Sequence, residues 1–397
     1  MPTPLTKPDP PCLALTPDCS LKHLEQPYIY DKGADELYEV NDEAFEFLKK
    51  CDGTRADLDK SADPEFLTYC LDNGLLEFVS SSRPRIFPAE PAPRPSWRYL
   101  ELQLTSRCNL ACRHCYLGPA GREDLTLPVV LDILHEFEEM QGLRVLLSGG
   151  EPLLWPYLSE LNAQLDRFDL RFVLLTNGTL LDEDILGRLK VQEIQFSLDG
   201  LAPGHEALRG AGTFAKTVKA MELAKSLGYQ LSVATMIHAC NLSELNELGT
   251  FLEKFDLVEW GLDIPCVTGA LASHRELPVP YAEGAEFLSL AYGGGYHGTG
   301  AGHTCGFHLA AVLPSGQVAR CGFYGTDPLG HAAEGLRTCW SRRRHLAAAE
   351  LDCHACAHLE ECGGGCRFRA GSATGPDPVM CAVYGVDSTM PMIKEGV

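Results

Sequence analysis

Cys108-Asn109-Leu110-Ala111-Cys112-Arg113-His114-Cys115-Tyr116 sets three cysteines within eight residues, spaced C-x3-C-x2-C. So short a loop, free of glycine, can bring three thiolates to one metal cluster, but it offers no fourth protein sulfur for the tetrahedral set that iron prefers. One iron of a cubane would stay open to a ligand or substrate. A structural zinc site instead needs four closed ligands. The stretch therefore reads as a reactive [4Fe-4S] site, and the fold around it must present such a site.

From Trp97 onward the chain repeats apolar run, loop and amphipathic helix. Strands are expected at 99–104, 144–147, 172–175, 193–196, 231–236 and 258–264. Between them, Thr126 is expected to cap a helix carrying Leu127, Val130, Leu131, Leu134 and Phe137, and Thr213 another carrying Phe214, Val218 and Met221 that stops at Gly228. Six β-α repeats imply parallel strands, right-handed crossovers and an α/β fold in the form of a partial (β/α)6 TIM barrel, with chemistry at the strand C-terminal ends. The cysteine loop follows the first strand, Ser148-Gly149-Gly150-Glu151-Pro152 the second, Thr176-Asn177-Gly178 the third and Ser197-Leu198-Asp199-Gly200 the fourth. Each alone is an ordinary turn, N-cap or strand exit. Four in order at one rim point to a site.

Residues 97–270 thereby resemble the core of the radical S-adenosylmethionine (SAM) superfamily, whose signature is C-x3-C-x2-C with an aromatic residue after the last two-residue gap, as in His114-Cys115-Tyr116. The resemblance implies that Cys108, Cys112 and Cys115 ligate a [4Fe-4S] cluster and that SAM's amino and carboxylate groups take its open iron. One electron, from a donor such as a flavodoxin or ferredoxin, would then break the sulfonium C–S bond to give methionine and a 5′-deoxyadenosyl radical that takes hydrogen from a substrate. By the same match Tyr116 lies against the adenine, while Gly149, Gly150 and Glu151 receive the ammonium group. Ser197 meets the ribose, and Arg209, in His205-Glu206-Ala207-Leu208-Arg209-Gly210, contacts ribose or carboxylate. Without the resemblance, an Arg on a helix reads as a surface residue.

Upstream, residues 1–82 read as a separate small module. A Pro-rich start is expected to be extended. Tyr28-Ile29-Tyr30 and Leu37-Tyr38-Glu39-Val40 read as a hairpin around Lys32-Gly33. Asn41 or Asp42 then caps a helix with Ala44, Phe45 and Leu48 on one face, a second helix runs over 64–73, and 75–79 is a closing strand. Hairpin, helix, helix and strand make a winged-helix-like unit. The run Leu37-Tyr38-Glu39-Val40-Asn41-Asp42-Glu43-Ala44, with Asp52-Gly53 and Gly74-Leu75-Leu76, resembles the PqqD-like family of peptide-recognition elements, which implies that a precursor's leader peptide adds as a strand to an exposed sheet edge. Asp31, Asp35, Glu36, Glu39, Asp42, Glu43 and Glu46 argue against DNA. Residues 83–96 hold five prolines and read as a semi-rigid linker.

Downstream, 271–397 carry a second cysteine set. Cys305 precedes a hairpin of 310–313 and 317–320 around Pro314-Ser315-Gly316, Cys321 follows it, and then come Cys353-x2-Cys356-x5-Cys362-x3-Cys366 and Cys381. Paired cysteines alone also suit zinc ribbons. The seven-cysteine pattern resembles the SPASM extension of radical SAM enzymes and implies two auxiliary [4Fe-4S] clusters, three clusters in all. In that match Cys353, Cys356, Cys362 and Cys381 hold one cluster completely; Cys305, Cys321 and Cys366 hold the other without an evident fourth ligand. His303 and Thr304 stand near in sequence, Cys266 and Cys339 farther off. An open iron there would bind substrate, for instance a peptide thiolate. Cys12, Cys19, Cys51, Cys70 and Cys240 are expected to be small buried apolar residues.

The totals bound the function. A length of 397 residues implies two or three domains. The N-terminus has no secretory pattern, so the 17 cysteines are expected to stay reduced in the cytoplasm. No apolar run nears the roughly 20 residues that span a bilayer, and a net charge of −21 argues against nucleic acid and anionic lipid as partners. Arg342-Arg343-Arg344 reads as a solvated helix face. The expected function is a PqqE-like radical SAM peptide maturase, forming a thioether or carbon–carbon crosslink. Alternatives are tetrapyrrole tailoring, sulfatase maturation, or a non-catalytic iron–sulfur electron-transfer protein. Sulfatase-maturing relatives carry Asp after the cysteine matching Cys321, a plausible base, whereas this chain has Gly322.

Overall fold

The computed structural model describes residues 12–55, 57–80, 90–293 and 302–387. The Pro-rich start before residue 12 and residues 83–89 of the expected linker lie outside them. The chain divides into two compact units: Met1–Ser96 with Glu138–Leu143 and Asp169–Arg171, and Trp97–Phe137 with Arg144–Phe168 and Phe172–Val397.

The first unit contains β1 (Cys12–Leu15), β2 (Cys19–His23), β3 (Pro27–Asp31), β4 (Glu36–Glu39), α1 (Asp42–Leu48), α2 (Pro64–Asp72) and β5 (Leu76–Val79). The expected hairpin is β3–β4, antiparallel with Ile29 opposite Tyr38. Asn41 caps α1, its side chain accepting from Ala44 N at 2.8 Å, and Asp63 caps α2 through Glu65 N and Phe66 N. Two strands were not expected. β1 pairs antiparallel with β5, and β2 joins β3 and β4 in a three-stranded sheet that ends at β4. Leu13, Leu15, Leu48 and Leu75 are at most 1% exposed and anchor the core, each contributing about 2 kcal/mol of burial. Cys19, Cys51 and Cys70 pack into that core, and burial pushes the Cys51 thiol up to about 12. Residues 90–96 are tied down within this unit: Ala92 N donates to His23 O at 2.9 Å, and Ser96 N to Glu25 at 2.6 Å. Lys22, buried, donates to Gly142 O and Asp169 O, and burial pulls its ammonium down to about 8.

The second unit is built on a nine-stranded sheet. Its parallel part is β6 (Tyr99–Thr105), β7 (Arg144–Gly149), β8 (Arg171–Thr176), β9 (Glu193–Ser197), β10 (Gln230–Met236) and β11 (Glu259–Asp263), neighbours in sequence order. The pairs β6–β7, β8–β9, β9–β10 and β10–β11 are parallel. α3 (Leu127–Glu139), α4 (Leu158–Asn162), α5 (Glu183–Leu186), α6 (Ala202–Arg209), α7 (Thr213–Ser226) and α8 (Leu245–Leu252) alternate with these strands. Thr126 O begins the α3 ladder as expected. Thr213, by contrast, is the first residue of α7 rather than its cap: Gly212, at positive φ, holds the cap position, and the Thr213 hydroxyl donates back to Gly210 O. The C-terminal hairpin, β12 (Leu309–Val312) and β13 (Gln317–Ala319), forms where expected. Its first strand adds in parallel to β6, with Leu309 beside Tyr99, and β14 (Gly330–His331) follows.

Two other expectations fail. Cys240 is exposed, at the tight turn after β10, where no apolar layer covers it. Arg343 is no solvated charge: its guanidinium lies over Trp340 at 5.2 Å and donates to Leu309 O and Arg320 O. Among the described residues no helix is long and apolar enough to cross a membrane.

Candidate functional site

Strand β6 alternates. Leu100, Leu102 and Leu104 are fully buried on one face, so Glu101, Gln103 and Thr105 share the other. The cysteine loop leaves the end of this strand and is held from several sides. Thr105 donates to Asp124, which also pairs with Arg107 at 2.8 Å. Asn109 is bound by Asn177 (3.0 Å) and donates to Thr179 (2.8 Å). Arg113 N and Nη1 donate to Leu208 O and Ala207 O, at the end of α6. Thr176-Asn177-Gly178, predicted as a rim motif, thus orders the loop itself.

The thiols of Cys108, Cys112 and Cys115 lie within electrostatic reach of one another, and burial pushes the Cys112 thiol up to about 11. Behind them Gly149, at φ +135°, and Gly150 press against the loop. A Cβ on Gly149 would fall 2.4 Å from Thr105 O, and one on Gly150 2.3 Å from Arg107 O and 3.1 Å from the Cys108 Cβ. Only glycine fits there. Glu151 follows, fully buried. Its carboxylate accepts from Thr176 Oγ1 at 2.9 and 3.0 Å, Asn177 N at 3.0 Å and Leu153 N at 3.2 Å. Burial outweighs these bonds and pushes the group up to about 7. An ionised carboxylate offers about four acceptor sites, and three protons fill three of them.

Arg209, which sequence alone would leave on the surface, is buried beside the loop. Its Nε pairs with Asp199, Nη1 lies 3.9 Å from Cys112 Sγ and Nη2 3.4 Å from His114 Nε2. Asp199, the acid of Ser197-Leu198-Asp199-Gly200, is fully buried, accepts from Met236 N at 2.8 Å, and its N–H donates to His205 Nδ1 at 3.2 Å. Burial would raise its pKa, but Arg209, with His114 and His205, holds it well below the carboxylate range. His114 is pulled down to about 4 by burial, so it is neutral and can accept from Arg209. Ser197 ends β9 and is half-buried.

Tyr116 packs on Phe323 at 4.6 Å and donates to Glu101 (3.1 Å), which also accepts from Gln103 (2.8 Å) and from Gly322 N (3.1 Å). A Cβ on Gly322 would come within 2.9 Å of Glu101 Oε1 and of the Tyr116 hydroxyl. The sequence reading missed Glu101 and Gln103. The signal was there: acid, amide and hydroxyl at alternate positions of an otherwise apolar strand. The C-terminal cysteines form two further groups. Cys353, Cys356, Cys362 and Cys381 interact with one another, Cys381 on the short helix at Pro378–Val383. Cys305, Cys321 and Cys366 form the other group.

These surroundings fit a [4Fe-4S] cluster and SAM. Among the described residues no three His, Cys, Asp or Glu side chains converge as ligands of a single ion must. A cubane takes each thiolate on a different iron and needs only that they surround a shared volume. Glycines close under the loop, one free acceptor site on Glu151, and the unpartnered buried Gln103 Oε1 and His114 Nδ1 suit a polar ligand beside it.

Residues 102–252 match the Radical SAM superfamily. With this domain and its relatives, the chain is a radical SAM enzyme, a class that works with a [4Fe-4S] cluster and SAM. It is 28% identical over 326 residues to the mycofactocin maturase MftC of Mycobacterium ulcerans, spanning 72% of this chain and 88% of that protein. To the AdoMet-dependent heme synthase of Nitratidesulfovibrio vulgaris it is 24% identical over 334 residues, 71% of this chain and 90% of the other. Among solved structures, SuiB of Streptococcus suis bound to S-adenosylmethionine shares the fold with a TM-score of 0.66 at 17% identity, over 93% of this chain and 99% of SuiB.

Proposed function

We propose that this enzyme is a peptide maturase: residues 1–82 hold the leader of a ribosomally made precursor, and residues 97–270 carry out hydrogen abstraction that ends in a thioether or carbon–carbon crosslink. The observation that carries this reading is the three-stranded sheet ending at β4, an edge of the kind that takes an added strand. Coverage supports it. The likeness to SuiB extends over 93% of the chain and so must take in most of the N-terminal residues, and SuiB has been crystallised bound to its precursor peptide SuiA. The N-terminal module is accordingly read as PqqD-like, 83–96 as its linker and 271–397 as a SPASM domain with two auxiliary clusters. A flavodoxin or ferredoxin is the proposed electron donor. The test removes residues 1–82: leader-peptide affinity should disappear while reductive SAM cleavage persists, and a truncated enzyme that binds and modifies the precursor as well as the whole chain would overturn the reading.

In this proposal Cys108, Cys112 and Cys115 hold the cluster, and Tyr116, Gly149, Gly150, Glu151, Ser197 and Arg209 surround SAM. When bound, that pair supplies the radical that takes a hydrogen atom from the substrate. The protein's part is placement. Glycines let backbone approach closely, Glu151 offers its remaining acceptor site to the amino group, and Arg209 places positive charge beside the Cys112 thiolate. Because burial pushes the Glu151 carboxyl up to about 7 before SAM binds, and the N–H donors of SAM's amino group need the carboxylate as acceptor, affinity should weaken as pH falls below that value, by about tenfold per unit. Calorimetric titration from pH 6 to 8 reads this, the range being set by that titration. Glu151→Gln should bind weakly and without the pH dependence; an unchanged slope in the variant would remove Glu151 from the site.

The similarity to a heme synthase supports a second reading, side-chain tailoring of a tetrapyrrole. Incubation with precursor peptide and with tetrapyrrole in parallel separates the two by mass change.

A further inference from the structure

Cys366 lies within electrostatic reach of the thiols of both Cys305 and Cys266. Cys266 lies just beyond the end of β11, 39 residues before Cys305 in sequence, and is buried. Its placement has an independent cause. Arg369, three residues after Cys366, reaches across to Asp263 Oδ1 at 2.7 Å and Ile264 O at 3.0 Å, clamping the end of β11 to the turn that carries Cys366. The same guanidinium forms a bidentate pair with the buried Asp377, at 2.8 Å through both nitrogens, and Asp377 in turn accepts from Cys366 N at 2.7 Å. Cys321 closes the group from the end of the β13 hairpin, and Arg367 N donates to Cys305 Sγ at 3.5 Å. Cys339, the other cysteine outside the pattern, is elsewhere, against His331 O.

We propose that Cys266 is the fourth protein ligand of the auxiliary cluster held by Cys305, Cys321 and Cys366, so that this cluster is closed. The inference rests on the auxiliary-cluster reading given above. Four thiols from four separate segments, fixed by one buried Arg–Asp pair, are a complete set for a cubane, one per iron. They leave no iron for a peptide thiolate. The cluster's role is then to pass electrons, and the substrate must bind elsewhere in the barrel.

The test uses the full chain, reconstituted anaerobically with iron and sulfide, in four forms: wild type, Cys266→Ala, Cys366→Ala and Cys339→Ala. Iron and sulfide content and the EPR spectrum of the reduced protein are read for each. Cys266→Ala should lose between about one and about four irons per chain and gain the signal of a three-iron cluster on oxidation. Cys339→Ala should match wild type, and adding a thiol-containing peptide should leave the wild-type spectrum unchanged. Cys266→Asp, which keeps an anionic ligand, should retain the iron with a shifted spectrum, separating ligation from misfolding. If Cys366→Ala loses iron while Cys266→Ala does not, the proposal fails and the auxiliary cluster stands. If neither loses iron, both fail. Stoichiometric zinc in the wild type in place of iron at this site would overturn both as well.

Discussion

Cys112→Ala, reconstituted beside the wild type, is expected to hold about four fewer irons per chain and to make no 5′-deoxyadenosine from SAM. The loop explains why so small a change is so large. Its three thiols are the whole protein share of the cluster proposed there, and a cubane left with two is not retained. Arg209 sharpens the expectation for this cysteine in particular, because its guanidinium lies 3.9 Å from the Cys112 sulfur and has no equivalent contact with Cys108 or Cys115 among the described residues. Arg209→Met should therefore keep the cluster but weaken cleavage by about 10–100-fold, the usual size of a loss next to a ligand. Full iron and wild-type cleavage in Cys112→Ala would remove the loop from the chemistry.

The second large effect is on stability. Asp199→Leu leaves the buried Arg209 guanidinium without its carboxylate and should cost about 3–5 kcal/mol, read by urea unfolding of the metal-free chain. Asp199→Leu with Arg209→Met removes both charges and should recover most of that loss. A single variant costing under about 1 kcal/mol would mean that water reaches the pair. Acid gives the same information. The Asp199 carboxyl titrates below its ordinary 3.8 in the folded chain, so the pair's contribution is complete above that pH and is lost as pH falls through the lower folded value.

The sequence made the barrel legible because each strand is an apolar run bounded by a helix cap, a local pattern that needs no knowledge of partners. The cysteine loop was legible for the same reason, being eight consecutive residues. What escaped depends on distant partners. Strand β1 pairs with β5 some sixty residues later, and its text, Cys-Leu-Ala-Leu, follows prolines that suggest no order. Arg209 entered the site only through the family resemblance, because nothing near it in the chain reveals that Asp199 and Cys112 meet it. Glu101 was signalled only by polar residues at alternate positions of an apolar strand, and Cys266 stood only as one of two distant candidates, because choosing between them depends on a group of cysteines that lies far along the chain.

The addition of β12 to β6 has a consequence for how the enzyme is made. Strand β6, from which the cysteine loop issues, has β7 on one side, but its other side finds its neighbour about two hundred residues later in the chain. During synthesis on the ribosome that edge stays unpaired until nearly the whole chain has emerged, presenting bare N–H and C=O groups of the kind that invite aggregation. A fragment that stops before residue 309 keeps Cys108, Cys112 and Cys115 and all six parallel strands, yet it is left with this raw edge. The stretch that begins at β12 therefore acts as a seam for the barrel, and the nascent enzyme stays open until it arrives.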